Sequence, residues 1–206
     1  MLRVILLASV LVAAFIAGVV MSPPSPAQIL KKADGVVLFD GTQVPEVTFI
    51  NEKGTPRSLA DFHGRWQLLF FGYTYCPDVC PMTLMHMSRL WKRLSSEERE
   101  QLQVVLVSVD PARDTPESLA PYMAYFNADF TALTGNREGL KTLAGELNAF
   151  FARVDRDGDL AYLMDHSANV VLISPDGQYR GYIEPPHDPS VMLPLVRALL
   201  NGGAAD

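Results

Sequence analysis

Two cysteines, Cys76 and Cys80, are the residues whose type and spacing most directly indicate chemistry in this chain. A disulfide that stabilises a fold usually closes a long loop, because stabilisation grows with loop length, and three intervening residues restrain little. Two neighbouring thiolates either form a redox-active disulfide or bind a soft metal ion such as Cu(I) or Zn(II). We expect Pro81 to open a helix with Cys80 at or next to its N-cap, where the helix dipole lowers the pKa of a thiol.

A third metal ligand is sought among four histidines, because two sulfurs alone leave a coordination shell short. His63 lies in a predicted surface turn, and His86 lies on the predicted helix as a partly exposed residue. His187, in a proline-rich loop, is an outside candidate. His166 precedes an apolar strand within a short polar run, where it is as readily a turn or cap residue as a ligand. If it is a ligand, the neighbouring Asp165 could orient its imidazole.

Strands and helices alternate around these candidates. Apolar runs predict strands at 47–50, 66–73, 104–109, 168–174 and 178–183, and helical periodicity predicts helices at 81–93, 116–126, 137–147 and 189–200. The order β-β-α-β-α-α-β-β-α predicts an α/β domain in which helices flank a central mixed sheet and the last two strands form a hairpin. A strand followed by a cysteine motif that opens a helix is the thioredoxin-like arrangement.

The N-terminus predicts a membrane segment. Residues 4–21 contain no charged side chain, and eighteen helical residues would span about 27 Å, close to the hydrocarbon thickness of a bilayer. We expect residues 1–21 to be a transmembrane anchor, with a cleaved signal as the alternative, 22–34 to be a proline-rich linker and 35–201 to be the folded domain. The basic Arg3 before the span, and the absence of an Arg-rich transit peptide, predict a bacterial inner-membrane protein with its domain in the periplasm.

Composition narrows the classes of partner. Hydrophobic residues make up 49% of the chain and charged residues 19%, as expected for a packed domain. The net charge is −6 without any block of like charge. Proteins that bind nucleic acid usually cluster Lys and Arg against the phosphate backbone, so the sequence argues against a nucleic-acid partner.

Three separated motifs, at residues 73–81, 110–116 and 165–167, together resemble the Sco (SenC) family of copper proteins of cytochrome oxidase assembly. The similarity runs in order from about residue 39 to residue 200 and includes the N-terminal span. The resemblance implies a thioredoxin-like fold and a copper ion, Cu(I) with Cu(II) as a further option, held by Cys76, Cys80 and His166. One departure is that residues 170–175 lack the Tyr and Asp often seen before the proline, which affects strand packing more than ligation.

The resemblance also implies a function. Members of the family deliver copper to the dinuclear copper (Cu-A) site of oxidase subunit II, or reduce its cysteines, so subunit II and a copper donor protein are the expected partners. The first hypothesis is therefore a copper metallochaperone. The alternative is a thiol-disulfide oxidoreductase in which Cys76 and Cys80 are the catalytic pair. A third hypothesis is a peroxidase, because residues 74–77 are faintly similar to peroxiredoxin loops.

Several nearby residues keep two interpretations. Asp78 either tunes copper and meets the partner or is a solvated loop carboxylate. Thioethers also bind Cu(I), but helical spacing predicts that Met82 and Met85 belong to the core, and Met87 is left open. The second of the three motifs is predicted to be a structural strand-to-helix connection, with Arg113 as a minor candidate for lining the site.

Overall fold

The computed structural model describes residues 28–30, 33, 35–156 and 162–202. The predicted anchor, residues 1–21, and most of the predicted linker lie outside the described residues. Among the helices that are described, none is long and apolar enough to cross a membrane.

The described part of the chain alternates strands and helices. The strands are β1 Val36–Gln43, β2 Phe49–Asn51, β3 Pro56–Arg57, β4 Trp66–Gly72, β5 Leu102–Ser108, β6 Thr131–Thr134, β7 Phe151–Asp155, β8 Tyr162–His166, β9 Val170–Ile173 and β10 Gln178–Ile183. The helices are α1 Val79–Trp91, α2 Ser96–Glu100, α3 Pro116–Phe126, α4 Arg137–Glu146 and α5 Pro189–Leu200, with a 3-10 turn at Leu59–Phe62.

A mixed eight-stranded sheet forms the centre of the fold, in the order β1-β10-β9-β4-β5-β6-β2-β3. Strands β4, β5 and β6 are parallel, and β9 pairs antiparallel with β4. Every residue of β4, β5 and β9 is buried, because helices and loops cover both faces of the sheet there. This confirms the predicted mixed sheet flanked by helices, with β9 and β10 as its predicted hairpin, and agrees with the predicted thioredoxin-like arrangement.

The sheet brings distant segments to one edge. Parallel pairing places Gly72, the last residue of β4, opposite Ser108, the last residue of β5. Because β9 runs antiparallel, its first residue, Val170, pairs with Phe70 near the same end of β4. The segment after β4, the turn after β5 and the chain that leads into β9 therefore all lie at this edge, which is where ligand sites of open α/β sheets usually lie.

A second, two-stranded sheet stands apart from the central one. Strands β7 and β8 pair antiparallel with each other and with no strand of the eight-stranded sheet in the described part of the chain. His166 is the last residue of β8, so this β7–β8 hairpin, which the sequence did not predict, carries a candidate ligand.

Candidate metal centre

The loop between β4 and α1 positions both cysteines. Helix α1 begins at Val79 with Asp78 as its N-cap, two residues before the predicted start at Pro81. Cys80 is therefore the second residue of the helix, and Cys76 lies in the preceding loop, where its Sγ accepts a hydrogen bond from the Cys80 backbone N–H at 3.4 Å. Both cysteines are buried and carry free thiols.

His166 completes the group. Its Nε2 lies 3.3 Å from the Sγ of Cys80, and the two sulfurs and one ring nitrogen all lie within 4.8 Å of one another. The other ring nitrogen, Nδ1, lies 3.0 Å from the carbonyl oxygen of Ser167. A hydrogen bond from Nδ1–H to this carbonyl leaves the Nε2 lone pair directed at the sulfurs, which is the tautomer a metal ligand needs.

Aromatic rings fix the imidazole from the protein side. The edges of Phe70 and Tyr73 meet the His166 ring at centroid distances of 6.1 and 5.8 Å. On the open side, a cavity of about 490 Å³ is lined by both the cysteine loop and the hairpin, including Cys76 and His166. Two aromatic rings thus pack against the imidazole, and Cys76 and His166 face the cavity.

The two thiols differ electrostatically. A hydrogen bond from the Cys80 side chain to the sulfur of Cys76 is the largest influence that lowers the pKa of Cys76, to about 4, and the backbone N–H groups of Asp78 and Cys80 add to it against the cost of burial. Burial and the neighbouring Cys76 thiolate raise the pKa of Cys80. The expectation that the helix N-terminus would lower the pKa of Cys80 is therefore wrong, because Cys80 is fully buried and Cys76 carries the negative charge.

Two other expectations about residues near the site are also wrong. The side chain of Asp165 is exposed and alternates with that of His166 along β8, so the Ser167 carbonyl orients the imidazole instead. Met82 and Met85 are 52% and 38% exposed on α1, whereas Met87 is buried. The helical period of these methionines marks a solvent-facing stripe and not the core.

The remaining histidines lie elsewhere. His187 is buried and contacts Thr83 and the carbonyl oxygen of Ile183, and burial lowers its pKa. His86 is half-buried on α1, as predicted, and His63 lies against Gly177. Among the described residues, the group of Cys76, Cys80 and His166 is the one that could hold a metal ion through clustered cysteine, histidine or acidic side chains.

A buried carboxylate, that of Asp114, is hydrogen-bonded to the loop that carries Cys76. Asp114 is fully buried and accepts hydrogen bonds from the Thr74 backbone N–H at 3.1 Å, the Thr74 hydroxyl at 2.5 Å and the Ser108 hydroxyl at 2.6 Å. In the sequence this acid belongs only to the predicted strand-to-helix connection at residues 110–116. Its position two residues before the first residue of α3 gave no sign that the side chain turns back toward Thr74.

The donor set suits a soft cation. Two thiolate sulfurs and one neutral imidazole nitrogen are ligands that Cu(I) and Zn(II) accept, and harder cations such as Mg²⁺ and Ca²⁺ prefer oxygen. Asp78 lines the opening with an exposed carboxylate that makes no capping hydrogen bond. The arrangement can therefore bind one soft metal ion or form a disulfide.

Comparisons with known proteins agree with this geometry. A family model described as SCO1/SenC matches residues 39–201. A protein described as a putative copper-binding protein from Stutzerimonas stutzeri is 43% identical over 159 residues, which cover 77% of each chain. Apo Sco1 from Thermus thermophilus superposes with a TM-score of 0.73 at 31% identity, covering 82% of this chain and 97% of that one. Copper-bound ScoI from Arabidopsis thaliana superposes with a TM-score of 0.71 at 26% identity, covering 78% and 99%.

Proposed function

The chain belongs to the SCO1/SenC family, and from this premise we propose that it is a copper metallochaperone whose cargo is bound by Cys76, Cys80 and His166. The observation that carries the proposal is the convergence of three donor atoms within 4.8 Å from segments about ninety residues apart. A pair of cysteines kept only for redox exchange has no need of an imidazole nitrogen 3.3 Å from one sulfur.

The geometry also supports release of the cargo. Cys76 and His166 line the cavity, so an incoming thiolate or imidazole from another protein could reach an ion held by this group and bind before a ligand of this chain leaves. The low pKa of Cys76 supplies a thiolate at neutral pH without prior proton loss. Cu(I) is the favoured cargo because thiolates are soft ligands, and Cu(II) remains a further option.

The biological setting follows from the same proposal. We assign residues 1–21 to a membrane anchor or signal segment, 22–34 to a linker and 35–201 to the copper-binding domain, held on the periplasmic side of a bacterial inner membrane. The expected receiving site is the Cu-A centre of cytochrome c oxidase subunit II, itself a thiolate and imidazole site, and a separate donor protein supplies the copper.

Replacement of His166 tests the proposal. In His166→Ala, the affinity of the reduced protein for Cu(I) should fall by about ten- to a hundredfold or more, because one of three ligands is lost. Competition against a Cu(I) chelator of known affinity measures the change. The matched control is His86→Ala, which removes a half-buried histidine from α1 outside the group and should leave the affinity unchanged. Equal affinity in wild type and His166→Ala would refute binding through three ligands.

A second function, thiol-disulfide exchange, is favoured by the unequal pKa values of the two cysteines. The Cys76 thiolate attacks a disulfide of a substrate protein and forms a mixed disulfide while one substrate thiolate leaves. Cys80 then loses its proton and attacks Cys76, which releases the second substrate thiolate and leaves this chain oxidised by two electrons. A thiol reductant must restore the pair. His166→Ala should retain this disulfide formation, so the same variant separates the two functions.

A further inference from the structure

We propose that Asp110, Arg113 and Tyr162 form a clamp that positions the β7–β8 hairpin so that His166 stays within reach of the cysteines. This inference deepens the proposed function, because it concerns how the third ligand is held. The need for such a device follows from the topology: the hairpin joins no strand of the central sheet in the described part of the chain, and a lone two-stranded hairpin is marginally stable in water.

The clamp holds Tyr162 at both its backbone and its side chain. Arg113 Nη1–H donates a hydrogen bond to the Tyr162 carbonyl oxygen at 3.2 Å, and the Tyr162 hydroxyl donates to Asp110 Oδ1 at 2.8 Å. Arg113 and Asp110 also form an ion pair, in which the Asp110 side chain is 3% exposed and that of Arg113 is 18% exposed. The ring of hydrogen bonds closes on itself, so no member moves without breaking a partly buried bond.

Arg113 also connects the hairpin to the cysteine loop. Its guanidinium carbon lies 3.7 Å from the centroid of the Tyr162 ring and 4.7 Å from that of Tyr75, the residue before Cys76. Stacking on two aromatic faces compensates Arg113 Nη2, which is buried without a hydrogen-bond partner. One side chain therefore contacts both segments that carry the metal ligands.

The strand transmits the position of Tyr162 to His166. The two residues are the first and last of β8, paired with Asp155 and Phe151 of β7. Side chains alternate along a strand, so a slip of one residue would turn His166 away from the sulfurs. Fixing the far end of β8 fixes its register and thus the direction of the imidazole. Asp110, Arg113 and Tyr162 are positioning residues, since they act on the ligand and not on the metal.

Arg113→Lys tests the clamp in the full chain, kept in mild detergent. Lysine keeps the charge but offers one nitrogen in place of the planar guanidinium, so it cannot reproduce the geometry in which Nε bonds Asp110 while Nη1 bonds the Tyr162 carbonyl. We expect the Cu(I) affinity to fall about tenfold or more, and amide hydrogen exchange of residues 163–166 to accelerate in the copper-free protein while exchange in β4 and β5 is unchanged. Adding His166→Ala to Arg113→Lys should cause no loss beyond that of His166→Ala alone.

The controls separate a positioning role from a general loss of stability. Arg197 also pairs with a carboxylate, that of Glu98, and bonds a backbone carbonyl, that of Arg93, but on the surface away from the site. Arg197→Lys should therefore leave both the affinity and hairpin exchange unchanged. If Arg113→Lys disturbs folding, Tyr162→Phe, which removes only the hydroxyl bond to Asp110, should show the same selective exchange with a smaller loss of affinity.

Two results would overturn the clamp. One is unchanged hairpin exchange in Arg113→Lys and Tyr162→Phe, and the other is a loss of affinity that adds to that of His166→Ala. Failure of the proposed function has a different signature, since the wild-type protein itself would then not bind Cu(I). The exchange measurement needs no copper and tests the clamp in that case as well.

Discussion

At the scale of single residues, the structure makes two chemically identical thiols unequal through their neighbours. Cys76 accepts hydrogen bonds from the Cys80 side chain and backbone, and its pKa is about 4, while Cys80 is fully buried and stays protonated. The folded-state pKa of Cys76 lies below its unfolded value of about 8.5. Ionisation of Cys76 therefore contributes its full stabilisation of the fold at pH values above about 8.5. The contribution is lost as the pH falls through about 4.

Cys80→Ala tests this coupling. Removal of the largest cause of the low pKa should shift the inflection of Cys76 alkylation from about pH 4 to a higher pH. The measurement is the rate of reaction with iodoacetamide between pH 3 and pH 9, with the thiolate absorbance as a second observable. Cys76→Ala is the control and should leave only slow labelling. An inflection that does not move would mean that backbone groups, and not Cys80, stabilise the thiolate.

Asp114 carries a second prediction at this scale. Asp114→Asn keeps the shape but presents an amide N–H to donors from Thr74 and Ser108, so the free energy of unfolding should fall by about 1–3 kcal/mol. Chemical denaturation measures the change. Glu117→Gln, at an exposed acid on the same α3 segment, is the control and should change the stability by less than about 0.5 kcal/mol. Equal effects in both variants would show that the hydrogen bonds to Asp114 contribute little.

The sequence predicted which residues form the site where a motif specified them. It did not predict their burial or their ionisation. The sequence pointed to both cysteines by spacing, and the family resemblance added His166. The sequence-based prediction was wrong about which thiol ionises, because burial and hydrogen bonding decide this. It was also wrong about Met82 and Met85, because helical spacing determines a shared face but not whether that face meets the core or solvent. The same limit applies to Asp165, because the direction of its side chain depends on strand β8, which was not predicted.

At the scale of elements, Gly181 lets β1 complete one edge of the sheet. It pairs with Leu38 at φ +146, and a Cβ there would lie 2.0 Å from the Val37 carbonyl oxygen. Gly181→Ala should therefore lower the free energy of unfolding by about 2–4 kcal/mol. Gly145→Ala is the matched control on the exposed face of α4, where a Cβ meets nothing, and should raise stability by about 0.5–1 kcal/mol. Denaturant titration of both variants is the measurement, and equal shifts would contradict the close approach.

Long buried strands were predictable, whereas exposed strands and the short buried strand β6 were not. Strands β4, β5 and β9 are continuous apolar runs because both faces are covered, and that pattern is visible in the sequence. The β7 strand is almost entirely exposed, so its residues have no reason to alternate in polarity. Its partner β8 lies mostly at intermediate burial and was missed for the same reason. The element that carries His166 was thus the hardest to find.

At the scale of the whole molecule, the metal group exists because three chain segments end at one edge of the sheet. The pairing of Gly72 with Ser108 and of Phe70 with Val170 brings the cysteine loop, the Asp110–Asp114 turn and the chain after His166 together. Strand order is a property of long-range pairing, so no local pattern specifies it. The predicted class of sheet followed from alternation of elements, but the closeness of ligands about ninety residues apart did not.

The folded domain includes a residue that precedes position 35. Leu30 is 4% exposed and belongs to the core, although the sequence assigns it to the linker. Leu30→Ala in the full chain should lower the free energy of unfolding by about 2–4 kcal/mol, because a buried leucine leaves a cavity. Val191→Ala, at a 52% exposed position on α5, is the control and should change it by less than about 0.5 kcal/mol. Chemical denaturation compares the two, and equal stability would place the start of the cooperative domain nearer residue 35, with Leu30 in the segment that precedes it.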